Sequence, residues 1–269
     1  ASKQLFISQS AVSQSIKVLE KKLNQTLFIR STKRVQLTPE GEILFKHVEP
    51  AMNLIRKGEN QLLEANTLNG GQLRIGASDT ICRYYLVNYL KEFHLRYPNV
   101  HIKVTNQTSL ACAGLLENGQ VDFIVTNYPN SGLSNIQNVR MIYEFHDVFV
   151  ANREHFPLEK KKLTLQELQK HPILMLDRKS TTSEFLHRLF QQSQLDLVPE
   201  IELSSNDLLI DLARIGLGIA FVPDFCIPKQ EPQLYILQLQ ESLPARQIVV
   251  AYNENIPVSQ AAKQFMDML

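Results

Sequence analysis

The stretch SQSAVSQSIKVLEKKLNQTLFIRSTKRVQL, residues 8–37, organises the interpretation of the whole chain. Its apolar residues recur at the spacing of one helix face, at Val12, Ile16, Leu19 and Leu23. Ser8 suits the N-cap of this helix, because its hydroxyl can accept a hydrogen bond from a first-turn N–H group. The segments LFIR and VQL flank a polar, basic tip and predict a short two-stranded hairpin.

The opposite face of this predicted helix is polar and basic, with Ser10, Ser13, Gln14, Lys17 and Lys21. A polar helix face beside a basic hairpin suits a helix in a DNA groove with a wing against the phosphates. A solvated amphipathic helix followed by an ordinary hairpin shows the same pattern. This stretch by itself therefore leaves both interpretations open.

Charge is distributed unevenly along the chain. Residues 1–37 contain seven Lys or Arg and one Glu, a net charge of +6, whereas the rest contains 21 basic and 26 acidic residues, a net charge of −5. A basic end on a mildly acidic body indicates a polyanionic partner for that end only.

Composition restricts the class of protein. With 44% apolar and 20% charged residues the chain is an ordinary globular one. No apolar run approaches the ~18 residues that span a bilayer, and no signal peptide is evident. The three cysteines are far apart and odd in number, which disfavours a disulfide framework and suits a reducing compartment. We therefore expect a cytoplasmic protein without a membrane partner.

The segment ASKQLF before this stretch is typical of a helix end, and together they give helix–turn–helix spacing. Ala1 and Leu5 are expected to pack on Val12 and Ile16. A three-helix unit requires a further upstream helix, which we expect to be missing from this chain.

A long helix is predicted after the hairpin. Thr38 is its expected cap and Pro39 its first residue, and the helical pattern continues to about Asn66. Apolar or small residues alternate steps of four and three along it: Leu44, Val48, Ala51, Ile55, Gly58 and Leu62. This 3.5-residue repeat favours a dimerisation helix over a core helix. Pro50 is expected to kink it.

From Gln72 onwards, strands alternate with helices. LRIGAS, VHIKVTN and VDFIVTN, with helices at 80–97 and 110–117 between them, predict a parallel βαβαβ unit. A second α/β unit begins near Tyr143 and includes a late strand, QIVVAY, before a terminal helix at 257–269. Two such units with chain crossings between them predict a hinged, two-lobed binding module.

Hydroxyl and amide residues follow the strands at the edge where the two lobes would meet. They are residues 78–80, 106–109, 126–127, 180–183 and 204–206. Each alone is an ordinary N-cap, but their recurrence on one edge indicates a ligand site. Hydroxyls and free helix N–H groups with few carboxylates fit a small anionic ligand.

With these residues laid out, the chain resembles the LysR-type transcriptional regulators over nearly its full length. The resemblance is carried by residues 8–13 (SQSAVS), Ile16, Leu19, Glu20, Leu23, Leu27, Phe28, Arg30, Lys33, Arg34, Leu37, Thr38 and Gly41. LRIGAS, YPNV, DFIV and GLGIAFVP also match family landmarks. Asn24 replaces a usual Gly, but Asn tolerates the positive φ that the turn needs.

The resemblance implies an α/β chain with a truncated winged helix-turn-helix at 1–38, a dimerising linker helix at 39–66 and a hinge at 67–71. Residues 72–269 would form an effector module like the periplasmic solute-binding proteins, with subdomain I at 72–142 and 254–269 and subdomain II at 143–253. The implied partners are promoter DNA, a small-molecule effector and further copies of the chain in a homodimer or homotetramer.

The resemblance also assigns residues to two sites. Those expected to contact DNA are Gln9, Ser10, Ser13, Gln14 and Lys17 on the helix, and Arg30, Lys33 and Arg34 on the wing. Those expected to contact the effector are Ser78, Thr80, Thr108, Thr126, Ser180, Thr181 and Thr182.

Other chemistry is weakly supported. The seven His show no metal-ligand spacing and no nucleophile partner, so neither an enzyme nor a metal or organic cofactor is predicted. Cys82 and Cys112 lie near predicted helix N-termini, where a thiol pKa can fall, so a redox role stands beside the interpretation as small buried apolar residues. The competing function is a solute-binding protein for transport. The basic helix, and the long helix with its 3.5-residue apolar repeat, disfavour this alternative.

Overall fold

The computed structural model describes residues 6–30, 34–65, 71–134, 136, 138–228 and 230–269. The chain divides into two compact units, residues 1–56 and 57–269, and each is described by itself. Among the described residues, no helix is both long and apolar enough to cross a membrane.

The first unit begins with helix α1, Gln9–Leu23, followed by strands β1, Phe28–Arg30, and β2, Val35–Leu37. The predicted N-cap is confirmed, since Ser8 Oγ accepts from the Ala11 N–H at 3.1 Å. The strands pair antiparallel, as predicted. Asn24 ends α1 with φ of 51°, the positive value that the turn requires.

One carboxylate organises the turn between α1 and β1. Glu20 Oε1 accepts from the N–H groups of Leu27 at 2.9 Å and Phe28 at 3.3 Å. Thr38 caps the next helix as predicted, since its hydroxyl accepts from the Gly41 N–H at 2.9 Å. A Cβ on Gly41 would lie 2.2 Å from the Leu27 carbonyl oxygen, so only glycine fits this close approach.

The apolar face of α1 is less covered than its pattern predicts. Val12 and Ile16 are half-buried, and Leu19 and Leu23 are 37% and 42% exposed. The residues expected to pack on this face, Ala1 and Leu5, lie outside the described residues.

Helix α2 spans Pro39–Ala65 without interruption, with Pro50 inside it. Much of its apolar seam faces solvent, since Val48 is 44%, Ile55 54% and Leu62 72% exposed. An exposed apolar row is typical of association surfaces, and the dimerising role of this helix stays a prediction. The predicted hinge falls at 67–71, of which all but Gly71 lies outside the described residues.

The second unit contains two sheets. The first has the strand order β4-β3-β5-β14-β6. Its strands are β3 Gly71–Ala77, β4 Val100–Asn106, β5 Phe123–Tyr128, β6 Asn138–Phe145 and β14 Arg246–Tyr252. The predicted parallel βαβαβ core is confirmed, since β3 pairs parallel with both β4 and β5.

The second sheet has the order β10-β9-β11-β7-β12. Its strands are β7 Asp147–Asn152, β9 Ile173–Leu176, β10 Ile201–Leu203, β11 Ile219–Pro223 and β12 Leu234–Ile236. A separate parallel pair joins β8, Lys162–Leu163, to β13, Gln238–Leu239. In each large sheet three neighbouring strands are parallel, and the fourth strand in spatial order, β14 or β7, is antiparallel to both of its neighbours.

Helices pack on the faces of both sheets. They are α3 in three parts (Asp79–Ile81, a π-helical turn Cys82–Leu86 and Val87–Arg96), α4 Ser109–Glu117, α5 Leu165–Leu168, α6 Thr181–Gln192, α7 Asn206–Arg214 and α8 Gln260–Met268. Phe93 and Phe265 stack edge-on in the core of the first lobe, and Phe149 and Phe221 meet in the second.

The predicted boundary between the lobes needs a correction. QIVVAY was placed in subdomain II, but β14 pairs antiparallel with β5 and β6 in the first sheet. Strand β6 also stays in the first sheet as far as Phe145, beyond the predicted boundary at 142. The chain crosses between sheets at His146 and again before Arg246, and apolar patterning gives no signal for which sheet a strand joins.

Candidate ligand-binding cleft

A cavity of about 220 Å³ lies between the two lobes of the second unit. Its lining is dominated by hydroxyl and amide side chains: Ser78, Asp79, Thr80, Asn106, Gln107, Thr108, Ser109, Asn127, Leu176, Asp177, Ser180, Thr181, Thr182, Ser204 and Asn206. The structure thus brings together six of the seven residues predicted for the effector, although they come from three separate strand–helix junctions.

Helix N-termini point at this cavity, and each carries the predicted hydroxyl cap. Thr108 accepts from Ala111 N–H at 3.2 Å, and Ser180 accepts from Ser183 N–H at 3.0 Å. Ser205 caps α7 in the same way. Each cap satisfies one donor, and the remaining first-turn N–H groups have no partner within their helix. Converging helix N-termini favour negative charge.

Thr126 is the exception among the predicted effector residues. It is fully buried, and its hydroxyl donates to the Ser109 carbonyl oxygen at 3.3 Å. Asn130 Nδ2 donates to Thr126 Oγ1 at 2.9 Å and to the same Ser109 carbonyl at 2.8 Å. Thr126 therefore lies behind the wall and positions the start of α4, instead of facing the cavity.

Sequence reasoning missed Arg246, which stands behind the opposite wall. Its Nη1 donates to Asp147 Oδ2 at 2.7 Å and to Thr182 Oγ1 at 3.0 Å, and its Nη2 donates to Thr181 Oγ1 at 3.0 Å. The guanidinium is 1% exposed. Because both threonine hydroxyls accept from Arg246, their own hydrogens are available to donate into the cleft.

The environment of this ion pair is buried and aromatic. The Arg246 guanidinium lies 5.4 Å from the Phe145 ring centroid and 5.0 Å from that of Phe185. Burial raises the pKa of Asp147, and the adjacent guanidinium opposes that rise. The sequence did contain one signal: Arg246 and Asp147 are charged residues that each open an otherwise apolar strand.

Three side-chain contacts cross the cleft on the side of α7. Asn206 Nδ2 donates to Thr80 Oγ1 at 2.9 Å, and Tyr84 Oη donates to Asp207 Oδ1 at 2.5 Å. Arg83 pairs with the same carboxylate at 3.5 Å. Burial, with the Asp207 carboxylate beside it, raises the pKa of the Tyr84 hydroxyl, so this phenol stays a donor at neutral pH. Arg83 and Tyr84 both lie on the π-helical turn.

The two cysteines near the cleft are poor candidates for redox chemistry. Burial raises the pKa of Cys82 to about 11 and that of Cys112 to about 12. The pKa values of these thiols do not fall as they can at helix N-termini, because the loss of solvation dominates the local field, and the interpretation as small buried residues is favoured. Among the described residues, no group of three or more potential ligands is placed to hold a metal ion.

The predicted DNA-contacting residues fall in the first unit. Gln9, Ser10, Gln14 and Lys17 are exposed along α1, and Ser13 is half-buried. Arg34 is exposed at the start of the second hairpin arm. Lys33 and the side chain of Arg30 lie outside the described residues, so their predicted wing contacts stay predictions.

Family models match almost the whole chain. Residues 66–269 match a LysR substrate binding domain. Residues 1–42 match a bacterial regulatory helix-turn-helix protein of the lysR family.

Among curated proteins, the chain is 29% identical to a probable RuBisCO transcriptional regulator of Gracilaria tenuistipitata var. liui, over 98% of this chain and 88% of that protein. It is 25% identical to the HTH-type transcriptional activator CmpR of Synechocystis, over 100% of this chain and 88% of that protein.

Solved structures share the fold at lower identity. The regulatory domain of Synechocystis CcmR in complex with 2-PG has a TM-score of 0.66 and 22% identity, covering 73% of this chain and 94% of that one. Full-length CbnR with its target DNA has a TM-score of 0.70 and 16% identity, covering 99% and 91%.

Proposed function

Because the chain belongs to the LysR family of transcriptional regulators, we propose that α1 and the hairpin contact promoter DNA while the cleft binds a small anionic effector. The observation that carries the effector site is the convergence of Ser78, Thr80, Thr108, Ser180, Thr181 and Thr182 on one cavity. The family assignment favours regulation over the alternative of solute transport, because residues 1–42 match a DNA-binding model.

The DNA contacts are proposed from exposure and charge. Gln9, Ser10 and Gln14 offer groups that can bond to base edges, and Lys17 offers a cation for phosphate. Ser13, Arg30, Lys33 and Arg34 complete the proposed surface. CbnR, similar in fold, has been solved with its target DNA.

We propose that the functional protein is a homodimer or homotetramer joined through α2 and through its effector modules. The exposed seam at Val48, Ile55 and Leu62 supports an association through α2. Two copies would grip half-sites about one helical turn, or a multiple of it, apart. The protein would act in the cytoplasm, where promoter DNA is, and would catalyse no reaction.

The effector is proposed to be an anion because Thr181, Thr182 and the first turns of α4, α6 and α7 present donors. For CcmR the molecule solved in complex is 2-PG, which makes 2-PG a first compound to test here. Effector binding would change the angle between the lobes and so the spacing of the DNA-binding heads.

Two measurements test this proposal. In a mobility-shift assay, the full chain should retard a promoter fragment with an affinity that falls steeply as salt rises. An absent or salt-independent shift would remove the DNA assignment. In a thermal-shift screen of the full chain, small anions including 2-PG should raise the melting temperature. A flat screen with intact DNA binding would remove the anionic effector only.

A further inference from the structure

The cleft has no cationic side chain on its described lining. The lining residues include the carboxylates of Asp79 and Asp177 but no lysine or arginine. A small anion in the cleft would therefore touch no cationic side chain of that lining. Hydroxyl groups and helix N–H groups are the donors that remain, and how well they hold an anion depends on the charge behind them.

The charge behind this lining is the guanidinium of Arg246. It is 1% exposed and does not line the cavity, so it acts on the cleft only through its neighbours. Its Nη1 and Nη2 atoms donate to the hydroxyls of Thr182 and Thr181, each at 3.0 Å, and both threonines line the cavity. Each hydroxyl accepts from the arginine through one lone pair and keeps its hydrogen for another partner.

The position of this guanidinium opposes the field of the helix beside it. Thr181 and Thr182 are the first two residues of α6, a helix of 12 residues whose N-terminus carries a partial positive charge. A cation at that end is disfavoured by the helix, and burial disfavours it further. Asp147 compensates, since its Oδ2 accepts from Nη1 at 2.7 Å. Two sources of positive potential therefore lie behind the same pair of hydroxyls.

Two aromatic rings fix the plane of the guanidinium. It lies 5.4 Å from the ring centroid of Phe145 and 5.0 Å from that of Phe185. Phe185 belongs to α6, as the two threonines do, so the ring and the hydroxyls share one rigid element. A planar guanidinium with donors in fixed directions suits the holding of two hydroxyls at once. Both hydroxyls are thus oriented by one residue.

Resting on the proposed effector site, we propose that Arg246 is the positioning residue of that site and that Asp147 limits its affinity for anions. Arg246 holds the hydroxyls of Thr181 and Thr182 so that their hydrogens point to the ligand, and its charge adds to the field of α6. Asp147 cancels much of that added field from behind the wall. The affinity of the cleft for an anion is therefore set by two residues that do not line it.

Removing the charge of Asp147 is the first test. Asp147→Asn keeps an oxygen that can accept from Arg246, but it leaves the guanidinium charge unmasked. In calorimetric titrations of the full chain with sulfate and with succinate, we expect at least about tenfold tighter binding than in the parent. Asp267→Asn, at an exposed position of α8, changes the net charge equally and should stay within about twofold of the parent. Structural damage would weaken binding, so a gain in affinity distinguishes the two causes.

A double variant separates the role of Arg246 from that of Asp147. Arg246→Met with Asp147→Leu removes both charges, so the net charge is unchanged and no buried charge is left unpaired. We expect this variant to bind the same anions about tenfold more weakly than the parent, because Thr181 and Thr182 lose the donors that orient them. A purely structural ion pair would leave the affinity of the folded double variant unchanged. This comparison decides the proposal if Asp147→Asn lacks a cooperative urea transition.

The outcomes separate this role from the effector site itself. If the parent binds anions and both variants bind them with the same affinity, the role of Arg246 and Asp147 is overturned while the effector site stands. A gain in Asp147→Asn beside an unchanged double variant would assign the effect to the carboxylate alone and overturn the role of Arg246. Binding of neither anion by the parent or by Asp147→Asn would overturn this role and the anionic effector together.

Discussion

The two lobes hold their sides of the cleft by different means. In the first lobe, Asn130 bonds to Ser109 and Thr126, residues of the same lobe, through neutral hydrogen bonds. In the second lobe, Thr181 and Thr182 are held by Arg246, which belongs to the sheet of the other lobe. The first lobe's side of the cleft is therefore positioned by contacts within that lobe. The second lobe's side depends on how the two sheets are placed relative to each other.

This difference has a functional meaning. A change in the angle between the sheets would leave the network of Asn130 intact, but it would move Arg246 relative to Thr181 and Thr182. If the proposed effector binds to Thr181 and Thr182, the second lobe is the side on which effector binding and lobe movement would be directly linked. Four predictions test the contrast.

Removing the ion pair of Arg246 with Asp147 should have the largest effect on the free energy of unfolding. Arg246→Met leaves the buried Asp147 carboxylate without its partner, and we expect a loss of about 3–5 kcal/mol in the free energy of unfolding, measured in urea. Combining it with Asp147→Leu should recover most of that loss, because the unpaired charge is removed as well. The exposed Arg83, changed to Met, should cost under about 1 kcal/mol. Similar losses in the two arginine variants would contradict the contrast.

Removing the neutral hydrogen bonds of Asn130 in the first lobe should lower the free energy of unfolding by less. Asn130→Ala removes a hydrogen-bond donor from the Ser109 carbonyl and from the Thr126 hydroxyl. We expect the free energy of unfolding to fall by about 1–3 kcal/mol in the same urea assay. Asn255→Ala, at an exposed site, should lie within about 0.5 kcal/mol of the parent. If Asn130→Ala were as destabilising as Arg246→Met, the two sides of the cleft would not be held by interactions of different strength.

Thr80→Val should spare stability but change the effector response. The variant keeps the shape of the side chain and loses the bond to Asn206, a change of about 1 kcal/mol. We expect the effector-dependent change in DNA mobility to be lost while DNA affinity without effector is unchanged. Thr80→Ser, which keeps the hydroxyl, should retain the response. An unchanged response in the valine variant would remove Thr80 from the site.

The smallest expected effect is on the reactivity of the cysteine thiols beside the cleft. With a pKa of about 11, Cys82 is about 0.1% thiolate at pH 8, so alkylation by iodoacetamide should be slow. Because thiolate forms as pH rises towards the pKa, the rate should increase about tenfold per pH unit between pH 8 and 10. Mass spectrometry after timed quenching measures it. Rapid labelling of Cys82 at pH 8 would reinstate a redox role.

Local patterns predicted much of this molecule. Ser8, Thr38, Thr108 and Ser180 were all recognisable as caps, because a cap depends on residues a few positions away. The parallel core of the first sheet followed from alternating strands and helices. Five groups of hydroxyl and amide residues at strand ends predicted where the cleft would be.

These local patterns could not predict contacts between residues that lie far apart in the sequence. Nothing in its own neighbourhood assigns the strand at Arg246 to the first sheet, since both sheets accept an apolar strand equally well. The ion pair of Arg246 with Asp147 follows from that placement and was missed with it. The buried position of Thr126 depends on its contacts with Ser109 and Asn130, which the sequence pattern does not show.

The late position of β14 in the chain also bears on synthesis. Every strand of the second sheet has left the ribosome once Ile236 emerges, but the first sheet still lacks its fourth strand, Arg246–Tyr252. Domains generally fold from the N-terminal end as they are made. Here the lobe that begins first is completed last, so the growing chain carries an open sheet edge along β5 until nearly all of it has been translated.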